Sequence, residues 1–264
     1  MIECVINISE GRDLAVVEEI AQRAGQDLLD VHSDPDHNRS VITVVDPVAP
    51  AAVIGAAVER LDLMSHTGVH PRIGVVDVVP FVPLGSATLD DAVARRDTTA
   101  EWIAGELGIP VFLYGPERTL PDIRRHAFTE LTPDLGPDRP HRTAGAVAVG
   151  ARGPLLAWNL WLAESDLDAA RQIAASLRGP GVRALGLRVG EEVQVSMNLI
   201  DPTTVGPAEV YDRVAASTAI ARAELVGLAP RAVLDAVDRQ RWEELGLSIE
   251  TTIEHRLAHR PLRR

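Results

Sequence analysis

"LLDVHSDPDHNRSVITVVD", residues 28–46, holds two apolar runs with only a polar turn between them. The runs "LLDVHS" (28–33) and "SVITVVD" (40–46) read as strands, and Pro35 with its Asp and Asn neighbours reads as the turn. Upstream, "IECVINI" (2–8) is a strand, and residues 13–25 place Val17, Ile20, Ala21 and Ala24 on one helical stripe. Downstream, residues 50–63 read as a helix with Pro50 near its start, and 73–82 as a further strand. The order strand-helix-strand-strand-helix-strand is the split βαβ of ferredoxin-like folds. A helix over 88–107 and a strand over 109–115 extend it.

Residues 119–143 are rich in Pro, Arg and Asp, and "TPDLGPDRPHRTAG" (132–145) predicts an ordered loop or lid. The alternation then resumes. "GPLLAWNLWL" (153–162) is a strand, and 166–178 a helix with Leu167, Ala170, Ile173, Ala174 and Leu177 in register. Strands over 182–189 and 193–201 meet at Gly190, followed by a helix over 206–223 and the closing strand "AELVGL" (223–228). The expected fold class is therefore α/β of the α+β kind: two βαββαβ subdomains, 1–153 and 154–264, each a mixed sheet covered by helices. No sequence repeat is visible, so the duplication is one of topology. The charged tail from 239 on reads as a helical, exposed end.

The composition narrows the function. At 264 residues and 46% hydrophobic, the chain has ample capacity for a core. No apolar run approaches the roughly 20 residues of a membrane span, and the start "MIECVINISEGRD" shows no signal-peptide pattern. Cys4 is the single cysteine, which fits a reducing cytoplasm. A net charge of -12 argues against nucleic-acid and anionic-membrane partners. All 26 basic residues are Arg, so lysine chemistry (Schiff bases, a P-loop) is excluded, and an anionic ligand falls to guanidinium groups.

Three places carry candidate chemistry. The turn "DVHSDPDHNRSV" (30–41) gathers His32, Asp34, Asp36, His37, Asn38 and Arg39, more His and Arg than a turn requires. With His66 and His70 it offers metal ligands, although Gly68 and Pro71 break the helix that an HxxxH pair needs. In "SHTGVHPRIGVVDVVPFVP" (65–83), Pro71 pushes His70 towards extended geometry at the mouth of a strand, with Arg72 beside it. An imidazole so aimed suits general acid–base work, and a satisfied structural histidine is the alternative. Asp77, alternating with Val75 and Val79, is either a structural ion pair or a ligand group. In the second half, Gln194, Ser196 and Asn198 share one strand face, and Asn159 interrupts an apolar strand; that polar surface meets either water or a ligand.

Ten segments in order ("ECVINISEGRD", "DVHSDPDHNRSV", "HTGVHPRIGVVDVVPFVP", "IPVFLYG", "LPDIRR", "PDLGP", "GAVAVGAR", "LLAWNLWL", "VQVSMNLID", "AELVGLAP") resemble the glutamate formiminotransferase family over residues 2 to about 237. The resemblance is to the transferase portion, without the cyclodeaminase domain fused to it in mammals. It implies two α/β subdomains with folate in a tunnel between them, and transfer of a formimino group from N-formimino-L-glutamate to N5 of tetrahydrofolate, in histidine breakdown and one-carbon metabolism. Tetrahydrofolate is then a co-substrate, and no metal is called for. The family's catalytic histidine falls on His70 and its folate-contacting loop on 136–145, including Gly136, Pro137 and Gly145. Mammalian members carry an acidic residue where His32 stands, and "DRPHRTA" (138–144) lacks the aromatics of their loop.

With that resemblance, Asp34, Asp36, His37, Asn38, Arg39, Arg72 and Asp77 are expected to bind the amino-acid substrate. Gly136, Pro137, Gly145, Asn159 and Asn198 are expected to bind folate, and a homodimer is the default assembly. The other readings are a folate-dependent formyl or related one-carbon transferase, a noncatalytic folate or amino-acid binding module, and a metal-dependent hydrolase.

Overall fold

The structure is a computed structural model describing residues 1–45, 47–69 and 71–260. His70 and Asp46, the last residue of a predicted strand, lie outside the described residues. Two compact units divide the chain, Met1–Arg152 and Gly153–Arg260.

In the first unit the order is β1 (Ile2–Ile8), α1 (Leu14–Ala21), β2 (Leu28–Asp34), β3 (Arg39–Val45), α2 (Ala49–Arg60), β4 (Val76–Pro83), α3 (Leu89–Glu106), β5 (Val111–Tyr114), α4 (Leu120–His126) and β6 (Val147–Ala151). The six strands form one sheet in the order β2-β3-β1-β4-β6-β5. Pairing is antiparallel from β2 to β4 and parallel among β4, β6 and β5. Ile6, Ile42, Val44 and Val79 pack with Val17, Ile20, Val53, Ile54 and Ile103 from α1, α2 and α3 in the main core. A smaller core holds Val78 of β4, Phe112 and Tyr114 of β5, Ala148 of β6 and Ile123 of α4. Ile123 is fully buried, so α4 is docked by this side chain against the strand that carries Asp77.

In the second unit the order is β7 (Leu156–Leu162), α5 (Leu167–Leu177), β8 (Val182–Val189), β9 (Glu192–Leu199), α6 (Pro207–Ala215), β10 (Ile220–Leu225), α7 (Arg231–Asp235) and α8 (Ile253–His259). The sheet order β10-β7-β9-β8 repeats the arrangement β4-β1-β3-β2 of the first unit. Both are the ferredoxin-like order expected of a split βαβ.

Several expectations need correction. The predicted lid contains α4, which starts on a Thr119–Asp122 capping box. The strand β6 replaces what reads as a loop exit. The helix predicted over 206–223 stops at Ala215 and the closing strand starts at Ile220, because pairing with β7 overrides the Ala-rich helical tendency of 215–223. The tail is not an exposed end: Leu245, Leu247 and Ile253 are buried, and the Leu245 carbonyl accepts the Trp158 indole N–H at 2.9 Å.

The pairing of β1 with β4 sets up the site. Asn7 opposes Val78 and Ile8 opposes Val76, which leaves Asp77 as an extra residue on β4. Simple alternation puts Asp77 on the face of Val75 and Val79. The bulge instead frees it from that face, where Val76 packs with Ile8 in the main core.

Candidate active site

The hairpin turn between β2 and β3 is rigid by construction. Asp34 Oδ1 accepts the backbone N–H groups of Asp36 (2.9 Å) and His37 (2.8 Å), and Oδ2 lies 2.9 Å from His37 Nδ1. Burial works to raise the Asp34 carboxyl pKa, but the hydrogen bonds and charge from His37 win and hold it below the usual value. Asn38 takes a left-handed backbone (φ 49°), which its short amide tolerates. Its Oδ1 accepts Gly11 N–H and its Nδ2 donates to the Thr67 carbonyl, both at 2.9 Å. A side chain at Gly68 would put Cβ 2.4 Å from the His37 carbonyl oxygen, so glycine lets the 65–69 loop close onto the turn.

Four guanidinium groups gather around this turn. Arg39 donates to Asn7 Oδ1 from Nε (3.1 Å) and Nη2 (2.7 Å), and from Nη1 to Asp77 Oδ2 (3.1 Å). Arg124 donates from Nη2 to the same Asp77 oxygen (2.5 Å) and from Nη1 to the Pro71 carbonyl (2.5 Å). Arg72 donates from Nη2 to the Gly68 carbonyl, and Arg12 from Nε to the Pro35 carbonyl. Burial lowers the Arg39 pKa to about 10; Asp77 opposes this, while Arg124 and Arg72 add to it. Arg39 stays cationic at neutral pH. The four cations stand against the carboxylates of Asp77, Asp34 and the nearby Glu10, and guanidinium groups suit an anionic small molecule.

His66 is held in one tautomer. Arg72 Nη1 lies 2.7 Å from His66 Nδ1, and His66 Nε2 lies 2.9 Å from the Asn38 carbonyl. A guanidinium has no lone pair to offer, so Nδ1 accepts and Nε2–H donates. Desolvation, with Arg72 adding to it, lowers the His66 pKa against the pull of the Asn38 carbonyl. Both ring nitrogens of His66 are thereby used, and neither offers a lone pair to a metal. Among the described residues, no group of three His, Cys, Asp or Glu side chains is arranged to hold one.

The loop expected at the folate is joined to the same region at one end. Gly145 (φ 73°) bridges Gly74, and Ala146 N–H donates to the Ile73 carbonyl at 2.9 Å. Gly136 turns at φ 82°, and Gly136 and Pro137 lie exposed at the other end of the loop. Asn159 and Asn198 belong to the second unit, on the sheet face opposite the Trp158, Leu160, Val195 and Met197 core. Asn159 is buried and donates from Nδ2 to Glu224 Oε2 at 3.1 Å.

Of the residues predicted for the substrate, Asp34, His37, Asn38, Arg39, Arg72 and Asp77 are brought together through these contacts, while the Asp36 residue is exposed at the tip of the turn. His32 sits on the edge strand β2 opposite Val41. Arg12 and Arg124 are absent from the sequence-derived set. Arg124 lies within "LPDIRR", but nothing local marks it, because its partners are 47 and 53 residues away in the chain.

The cation-lined turn suits an anionic small molecule without naming a family. Comparison with known proteins supplies one. Residues 1–152 match the model described as the formiminotransferase domain, N-terminal subdomain. The chain is 34% identical to the glutamate formimidoyltransferase of Streptococcus pyogenes serotype M1, over 90% of this chain and 92% of that one. It is 32% identical to the glutamate formimidoyltransferase of Thermoplasma acidophilum, over 97% of both. The formimidoyltransferase-cyclodeaminase of Sus scrofa is 35% identical over 89% of this chain, which spans only 51% of that protein. The chain belongs to the glutamate formiminotransferase family, and it is a transferase.

Proposed function

We propose that this chain transfers the formimino group of N-formimino-L-glutamate to N5 of tetrahydrofolate. The observation that supports this reading most is the cluster of Arg12, Arg39, Arg72 and Arg124 beside the His-Pro-Arg segment, in a chain whose full-length relatives carry the transferase name. Glutamate offers two carboxylates, and Arg39 and Arg72 are the groups assigned to them. A carboxylate of the 34–36 turn is assigned to orienting the cationic formimino group, since a charge-assisted bond is the stronger kind. Asp36, His37 and Asn38 shape the same turn. Folate is assigned to Gly136, Pro137, Gly145, Asn159 and Asn198, and the second half of the chain to the family's C-terminal subdomain.

In the proposed reaction, N5 of tetrahydrofolate attacks the formimino carbon, forming a C–N bond and a tetrahedral intermediate. His70 accepts the N5 proton and delivers a proton to the glutamate nitrogen as the old C–N bond breaks. Amine expulsion requires that proton, and an imidazole titrating near neutrality suits both transfers. Tetrahydrofolate is consumed as co-substrate, and no step calls for a metal. His70→Ala is expected to lower kcat by ~10²–10⁴-fold while folate affinity, read by equilibrium binding, stays nearly constant. An unchanged kcat would remove His70 from the mechanism.

A further inference from the structure

The carboxylate of Asp77 is only 2% exposed, yet it takes three donors from three parts of the chain. Oδ1 accepts the Ile73 N–H at 2.8 Å, and Oδ2 accepts Arg39 and Arg124. Arg124 then reaches the Pro71 carbonyl with its other terminal nitrogen. The segment 71–73 is therefore gripped at two backbone points, one on each side of Arg72. Pro71 is the residue bonded to His70 in the chain. Three features of the fold converge on this grip: the extra residue in β4 that releases Asp77 from the main-core face, the burial of Ile123 that docks α4, and the left-over reach of Arg124.

We infer that Asp77 and Arg124 are positioning residues, which fix the Pro71–Ile73 segment that directly follows the acid–base histidine in the chain and so act on turnover from outside the substrate. The inference rests on the transferase reading for its catalytic consequence and on geometry alone for the grip. Asp77 is spent on protein donors, so its part is to hold the two arginines and the Ile73 amide, rather than the formimino group. Arg124 acts on the backbone of Pro71. A guanidinium suits this task because its planar fork serves two acceptors at once, which an ammonium on a flexible stem does less well.

The test uses the whole chain as Arg124→Ala and the milder Arg124→Lys. Hydrogen exchange of the Ile73 amide needs no substrate, and it is expected to quicken in Arg124→Ala and by a smaller factor in Arg124→Lys. Initial rates are expected to show kcat reduced by on the order of 10²-fold in Arg124→Ala, the cost of a misplaced reacting group. The KM for N-formimino-L-glutamate is expected to move by less than about threefold, because no ground-state contact is lost. Arg124→Lys, which keeps the cation but not the planar fork, is expected to recover part of kcat. Unchanged exchange at Ile73 would overturn the grip. A raised KM with kcat kept would make Arg124 a substrate ligand, and quickened exchange with kcat kept would overturn its catalytic consequence. If the wild-type chain turned over no formimino group, the transferase reading would fail while the exchange result still judged the grip.

Discussion

Arg72 and His66 face each other across 2.7 Å, guanidinium to imidazole, and the contact is possible only while His66 is neutral. Partial burial, with the cation beside it adding to the effect, is why the His66 pKa is lowered. The folded chain therefore binds fewer protons at this site than the unfolded chain does. Stability is expected to rise with pH through the window from the lowered folded value up to about 6.5, and to be lost as pH falls through it. Urea unfolding at pH 5 to 7.5 for the wild type and His66→Gln measures this. The variant should show the shallower slope of stability against pH; equal slopes would assign the pH dependence to other groups.

Asp34 has the same sign of shift and a lower window. Its folded pKa is held below that of the unfolded chain, so its contribution is present above about pH 4 and fades as pH falls through the folded value. Asp34→Asn is expected to lose stability at pH 7 and to be less sensitive than the wild type to acid below pH 4. Circular dichroism along an acid titration reads both effects.

Gly74 is where the segment after the His-Pro-Arg run passes the end of the 136–145 loop. A Cβ there would sit 2.0 Å from the Ala146 carbonyl oxygen and 2.7 Å from that of Ala144. Gly74→Ala is expected to cost at least ~1–3 kcal/mol of stability, the range for overpacking, since backbone cannot step aside cheaply. Gly105→Ala, in open space on α3, is expected to stabilise by roughly 0.5 kcal/mol. Thermal melting of the two variants side by side gives the contrast.

Arg72 joins the substrate candidates to His66, and its replacement separates binding from turnover. Arg72→Lys keeps the charge but loses the fork, and is expected to raise the KM for N-formimino-L-glutamate by about tenfold, the cost of roughly one good hydrogen bond to a charged group. Steady-state kinetics against both substrates checks this, and the tetrahydrofolate KM should stay in place. A rise in the folate KM instead would move Arg72 to the folate side.

The two βαββαβ orders are legible in the sequence because most of the strands are apolar or alternating runs bounded by turn residues. The boundary between α6 and β10 is not, since 215–223 is Ala-rich and only the ladder to β7 makes its second half a strand. The site is legible to the same degree. His70-Pro71-Arg72 and the 34–39 turn stand out by residue type, and the turn's internal bonds follow from Asp and Asn at those positions. The direction of Asp77 is hidden, because the bulge is defined by its register against β1. Arg124 is hidden as well, because the docking of Ile123 places it. His66 reads as a metal ligand in a list of histidines, and only its two partners show that both nitrogens are used.

The most direct test of the central claim is the loss of N-formimino-L-glutamate with purified, chelator-treated protein, measured with and without tetrahydrofolate. Loss that occurs only when tetrahydrofolate is present, with the N5-formimino product formed in equal amount, is the predicted result. Loss without folate, or none with it in a protein shown to be folded, would contradict the account.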